Sequence, residues 1–328
     1  MRVLPSQYLM RNLAKGQKMG FTNPFMSGAA LVILTACQFP ENTPAVDLAE
    51  SQKNWTLVWS DEFNGTELDP EKWVPETSCW GGGNNELQCY TNRSENIKVS
   101  DGVLKLSARE EAFRGLKYPQ DWEDRGENVT QRYTSGKVRT KGLAQWKYGR
   151  FEARIKLPQG QSTWPAFWML PEDNSYGKWP LSGEIDIMEA VNLGARCDEC
   201  GASKTENRSS GALHFGQPWP NQNLRFKNNA LPNGANSYHV FSIEWSENQF
   251  DWFVDGERFF TLRDKDWFTE SVSKNENKLA PFDRPFYLML NLAVGGDLPD
   301  SRNEKSFNPD SFPNDLLVDW VRVYKIQQ

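Results

Sequence analysis

Three carboxylates fall within six positions of the stretch SGEIDIMEA (182–190): Glu184, Asp186 and Glu189, interleaved with Ile185, Ile187 and Met188. Two carboxylates facing one electrophilic carbon can share the cleavage of an acetal. One attacks the carbon, while the other gives a proton to the leaving oxygen and later takes one from water. A third acid close by assists, because like charges at short range keep at least one of them protonated near neutral pH. A row of acids on the solvent face of an edge strand would give the same letters, but the aromatic segments on both sides of the motif favour chemistry.

The element carrying these residues must solve a geometric problem. On a regular strand Glu184, Asp186 and Met188 share one face and Glu189 points to the other. A β-bulge between Asp186 and Glu189 returns Glu189 to the face of Glu184. The two Cα atoms then lie roughly 13 Å apart at ~3.3 Å per residue, and converging side chains can bring the carboxyls to about 5 to 5.5 Å, the separation at which one carboxylate is a nucleophile and configuration is retained. The rest of the chain also reads as strands. GRFEARIKL alternates Phe151, Ala153, Ile155 and Leu157 with Glu152, Arg154 and Lys156, the period of a half-buried strand. Asp101-Gly102 and Asp255-Gly256 each sit between apolar-rich runs, a hairpin signal, and LLVDWVRVYKI near the C-terminus is a further strand. With no long 3.6-period segment and no repeat, the fold class is all-β, two packed antiparallel sheets.

Composition agrees. The 328 residues include 14 Trp, 19 Phe, 24 Gly and 19 Pro, an aromatic, turn-rich balance common in sugar-binding β proteins. Arg2, Arg11, Lys15 and Lys18 precede the apolar run FMSGAALVILTAC, long enough for a signal-peptide core and too short to span a bilayer. LTAC resembles the lipobox of bacterial lipoproteins, with Cys37 as the lipidated residue and Gln38 after it; a plain secretory signal is the alternative. The expected organisation is a signal segment over 1–37, a polar tether over 38–53 and one catalytic domain over 54–328, in a monomer exported to the outer membrane or cell surface and touching membrane only through its lipid. Cys79, Cys89, Cys197 and Cys200 remain, an even number in an exported chain. Two sequence-local disulfides, Cys79–Cys89 and Cys197–Cys200, are the simplest of three connectivities. A four-Cys zinc site competes, although only one half has CxxC spacing. Removing residues 1–37 takes away four basic groups and no acidic ones, so the formal charge of -6 becomes -10. That argues against nucleic acid as a partner. With His214 and His239 as the two histidines, a multi-histidine metal site or a Ser-His-Asp triad has little material.

The E-x-D-x-x-E spacing of GEIDIMEA resembles glycoside hydrolase family 16, a β-jelly-roll family, in its bulged laminarinase-like and agarase-like branches. WSDEFNG (59–65), GGGNNELQCYT (81–91), YTSGKVRTKG (133–142), YGRFEARIKLPQGQSTWPAFWMLP (148–171), GALHFGQPWPNQ (211–222), FYLMLNLAVGG (286–296) and FPNDLLVDWVRVYK (312–325) are similar to laminarinase segments and follow in the same order. The resemblance implies a concave substrate cleft, Glu184 as nucleophile, Glu189 as acid/base and Asp186 holding the geometry between them. It implies that Trp164 and Trp168 line the cleft, that Asn85, Glu86 and Gln88 meet sugar hydroxyls on the non-reducing side, that His214 lies toward the leaving group and that Asn291 lies beside the nucleophile. Trp146 and Trp179 read equally as cleft or packing residues. It implies no catalytic cofactor and a structural calcium on Glu62, the Gly102 carbonyl and Asp319, oxygen donors suited to a hard cation. Two departures stand out. AVGG is followed by DLPD where a Trp-bearing loop is usual, and NLGARCDECGASKTENRSS (192–210) is a Cys-bearing insertion directly after the acidic motif. The expected activity is retaining endo-hydrolysis of β-1,3-glucans such as laminarin, with mixed-linkage β-1,3/1,4-glucan as a second substrate. An agarase-type galactan hydrolase is the alternative within enzymes, and a non-catalytic β-glucan-binding protein is the alternative outside them.

Overall fold

Residues 54–303 and 306–327 are described in the computed structural model of the chain. Cys37, the signal segment and the tether over 38–53 lie outside the described residues. The strands in chain order are β1 (Trp55–Asp61), β2 (Val74–Pro75), β3 (Gln88–Tyr90), β4 (Ile97–Ser100), β5 (Val103–Leu116), β6 (Asn128–Ser135), β7 (Lys137–Arg139), β8 (Gly149–Lys156) and β9 (Thr163–Pro171). They continue with β10 (Glu184–Ala190), β11 (Arg208–Phe215), β12 (Asn223–Ala230), β13 (Tyr238–Ser246), β14 (Gln249–Val254), β15 (Glu257–Arg263), β16 (Phe286–Val294) and β17 (Asn314–Ile326). The α-helix among the described residues is a single short one, α1 (Asp297–Ser301), formed by the DLPD stretch.

The expected hairpins form. Asp101-Gly102 joins β4 to β5 and Asp255-Gly256 joins β14 to β15, with both residues of each turn at positive φ, as a two-residue primed turn requires. Phe151, Ala153 and Ile155 of β8 are buried as the alternation predicts. Glu152 is buried too, a departure that its charged hydrogen bond from Arg150 Nε at 2.6 Å explains.

One sheet has ten strands and runs β15-β14-β13-β8-β17-β5-β6-β3, with β1 on β17 and β4 on β5; the other runs β12-β11-β10-β9-β16-β7-β2. Pairing is antiparallel except for β3 on β6. The core fills the space between the sheets. Phe151, Phe241, Ile243, Phe250 and Trp252 of the larger sheet and Phe167, Met169, Ile185, Leu213 and Leu290 of the smaller belong to one cluster of buried side chains. The smaller sheet thus turns one face inward and leaves the other for a cleft. β16, near its middle, is buried along its whole length, which is why FYLMLNLAV is nearly continuous in apolar residues. The four cysteines pair as Cys79–Cys89 and Cys197–Cys200, leaving none of these thiols for zinc.

Candidate active site

The bulge on β10 is present. Asp186 pairs with Ala212 and Glu189 with Ser210, three steps against two, and the register against β9 slips between Asp186 and Met188. Ile187 and Met188 consequently both turn into the core, at 2% and 0% exposure. Glu184, Asp186 and Glu189 are left together on the cleft face. Apolar neighbours at the bulge make this register the stable one, since a one-residue slip would drive a carboxylate into the core and a methionine into water.

Each outer carboxylate receives an indole N–H. Trp179 Nε1 donates to Glu184 Oε2 at 2.8 Å, and Trp164 Nε1 donates to Glu189 Oε1 at 3.0 Å. Trp179 is therefore a site residue, whereas Trp146 packs against Trp59 and Phe151. Directly opposite Glu184 on β11 is His214, whose Nε2 lies 3.7 Å from Glu184 Oε1 and 3.3 Å from Asp186 Oδ2. Asp186 is buried, and its Oδ2 lacks an aligned hydrogen-bond donor.

These placements set the charge balance. Burial raises the pKa of Glu184; the His214 cation opposes the rise and the charge of Glu189 adds to it. Asp186 is pushed well above the usual carboxylate range by burial and then by Glu184 and Glu189. Burial works to lower the pKa of His214, but Glu184, Asp186 and Glu189 outweigh it and hold the imidazole up to about 10. The cluster therefore sets a cation against Glu184 and disfavours charge at its buried centre, Asp186.

Trp168 lies across from Asp186 on β9, and its Nε1 donates to Asn291 Oδ1 at 2.7 Å. Asn291 does not sit where the resemblance put it. It pairs with Ala166, itself paired with Glu189, and its amide nitrogen donates to Tyr90 Oη at 3.1 Å; from the row of Glu189 it holds the indole of Trp168, which stands in the row of Asp186, and it makes no hydrogen bond to the nucleophile candidate. Gln88 is held inside the protein. At 1% exposure it donates to Glu86 Oε2 at 2.7 Å and accepts from the Val294 backbone at 2.8 Å, so in this structure it fastens the segment carrying Asn85 and Glu86 to β16. Glu86, buried with its pKa raised chiefly by burial, accepts also from Asn84. The chain wraps this side chain through Gly82, at φ 58°, where a Cβ would meet Glu86 Oε1 at 2.3 Å, so a larger residue would have to push the carboxylate aside at a backbone angle that glycine adopts without strain. Asn85 is exposed and donates to both oxygens of Asp297 on α1 at 3.0 and 3.1 Å.

Reading the residues alone missed Tyr90, Lys137 and Glu76. Lys137 Nζ lies over the rings of Trp168 and Tyr90, at 5.0 and 5.6 Å, and 3.1 Å from Glu76 Oε2. Lys137 stands opposite Asn291, and the signal for it is that pairing, which local alternation does not reveal. The insertion over 192–210 leaves β10 at the Glu189 end. Asn192 accepts from the Ser162 backbone N–H and donates to Pro299 O on α1, so insertion and DLPD segment form one joined flank.

Glu62 and Asp319 are each matched with a guanidinium. Arg322 donates to both oxygens of Glu62 at 2.9 and 2.8 Å, which lowers its pKa, and Arg154 pairs with Asp319. The donor set suits calcium in kind, and an ion there would compete with Arg322 and Arg154 for the two carboxylates.

Paired acids beneath indole N–H groups, in a cleft floored by aromatic rings, suit the cleavage of a sugar acetal, and that places the protein among carbohydrate-cleaving enzymes. Residues 55–326 match the family described as "Beta-porphyranase A-D, GH16 domain". The glucan endo-1,3-β-glucosidase A1 of Niallia circulans is 42% identical over 282 residues, which is 83% of this chain and 38% of that protein. The chain thus spans well under half the length of that relative. The laminarinase of Rhodothermus marinus superposes with a TM-score of 0.66 at 36% identity, covering 84% of this chain and 98% of that one. SCLam, a non-specific endo-β-1,3(4)-glucanase from family GH16, gives 0.66 at 32% identity, with 83% and 92% covered. The chain belongs to glycoside hydrolase family 16.

Proposed function

We propose that the protein is a retaining endo-β-1,3-glucanase acting on laminarin-like glucans, with mixed-linkage β-1,3/1,4-glucan as a second substrate. The observation that carries the chemistry is the bulge that sets Glu184 and Glu189 on one face of β10 with Asp186 between them. The carboxylate of Glu184 attacks the anomeric carbon as Glu189 gives its proton to the departing glycosidic oxygen, leaving a glycosyl ester on Glu184. Water then attacks the same carbon, Glu189 takes its proton, and Glu184 leaves with configuration retained. The His214 cation opposes the rise that burial imposes on the pKa of Glu184, and Trp179 fixes one of its oxygens. The glucan preference rests on the β-1,3-glucanases among the relatives. The family description naming β-porphyranases carries the second reading, a galactan hydrolase on the same catalytic strand. Export as a lipoprotein through Cys37 belongs to the proposal and rests on the LTAC sequence.

The acid/base assignment is tested by Glu189→Ala with added azide and an activated aryl glucoside. The small anion enters the space of the lost carboxylate, so turnover should return with a β-glycosyl azide as product. An α-azide, or no rescue, would contradict the assignment.

A further inference from the structure

β12 is the edge of the smaller sheet, and every residue from Leu224 to Asn228 is exposed. Its register ties it to the catalytic rows. Leu224 pairs with His214, which pairs with Glu184; Phe226 pairs with Ala212, which pairs with Asp186; Asn228 pairs with Ser210, which pairs with Glu189. Directly paired residues share a face of the sheet, so Leu224, Phe226 and Asn228 lie on the cleft face. Arg225 and Lys227 alternate onto the other face, opposite Leu213 and Gly211.

An edge strand usually avoids exposed apolar residues, because they invite pairing with another chain. Here Phe226 is 48% and Leu224 42% exposed. The basic residues take one face and the apolar ones the face that continues the floor outward from the carboxylates. Two strand spacings of ~4.8 Å put Phe226 about 10 Å from the catalytic strand, a reach on the order of two pyranose rings.

We propose that Phe226 and Leu224 form a sugar-binding floor on the leaving-group side of the cleft, where they pack against the pyranose faces of the glucan beyond the cleavage point. The inference rests on the proposed function, and its direction on the family resemblance, which puts Asn85 and Glu86 on the non-reducing side of the cleft, so that β12 takes the other. Apolar side chains under the C–H faces of sugars supply contact without fixing one hydroxyl pattern. Asn228, in the row of Glu189, adds an amide at the margin.

The test compares wild type with Phe226→Ala, Leu224→Ala and Phe226→Tyr on two substrates. One is reducing-end-labelled laminarihexaose, whose leaving group is a sugar chain. The other is an aryl β-laminaribioside, whose leaving group holds no sugar. For the alanine variants kcat/KM on the hexaose should fall roughly three- to ten-fold, while the aryl substrate stays within about two-fold. Phe226→Tyr should recover most of the loss, and transfer to an added sugar acceptor should weaken with the alanine variants. Equal losses on both substrates, no loss on either, or a wild-type dimer that Phe226→Ala converts to monomer would overturn the inference. A wild-type chain inert on both substrates would overturn the glucanase reading and this one with it, whereas active wild type with unaffected variants would overturn this one alone.

Discussion

At the scale of single residues, the cluster is governed by what stands against Glu184. Burial raises its pKa, and the nucleophile proposed for it must be ionised, so that proposal makes activity depend on the His214 cation opposite it. Replacing His214 by Gln removes that cation, and the pKa of Glu184 should then rise further. The acid limb of the kcat/KM profile should move to higher pH, while the neutral-pH rate falls by about ten-fold or more. A limb that stays in place, or moves to lower pH, would show that His214 does not act on the nucleophile. His214 itself is held up to about 10 in the folded protein against ~6.5 unfolded. Its ion pairing therefore stabilises the fold fully below the unfolded value, and that contribution is lost as pH rises through about 10.

Elements carry the geometry, and here legibility varies. The bulge on β10 was readable because the three acids are at an odd spacing that a regular strand cannot reconcile, and because Ile187 and Met188 give the extra residue an apolar destination. The hairpins were readable from Asp-Gly, a local signal. Asn291, Gln88 and Lys137 were not, since their roles depend on how β16 pairs with β7 and β9 and on which backbone group meets a buried amide. No window of neighbouring residues contains that information. The DLPD departure also acquires meaning at this scale: α1 holds the wall by accepting both hydrogen bonds from Asn85, and the Asp297 backbone N–H donates to Asn84 O at 2.8 Å. Asp297→Ala should loosen Asn85, raising KM for a long glucan by roughly two- to five-fold with kcat nearly unchanged, because the lost bonds are exposed and modest in strength. A fall in kcat at constant KM would place Asp297 in the chemistry instead.

For the molecule as a whole, the two sheets divide labour. The larger supplies one wall of the core, and the smaller turns its free face into a cleft running from the Asn85 wall, across Glu184 and Glu189, to β12. Calcium on Glu62, the Gly102 carbonyl and Asp319 is a proposal at this scale, since it would tie β1 and the β4–β5 turn to β17. If it binds, millimolar calcium should raise Tm by on the order of 5 °C over an EDTA-treated sample, as expected for ligand well above its Kd. Equal Tm values in calcium and EDTA would overturn the proposal and leave those acids to their pairs with Arg322 and Arg154.

Retaining cleavage of internal β-1,3-glucan bonds is tested by following brief digests by NMR and chromatography, with laminarin, barley β-glucan and agarose in parallel. β-Anomers should come first, followed by mutarotation, with a ladder of β-1,3-linked oligosaccharides from laminarin and none from agarose. Early α-anomers would contradict the double displacement on Glu184, and agarose cleaved while laminarin stays intact would replace the glucanase by a galactan hydrolase.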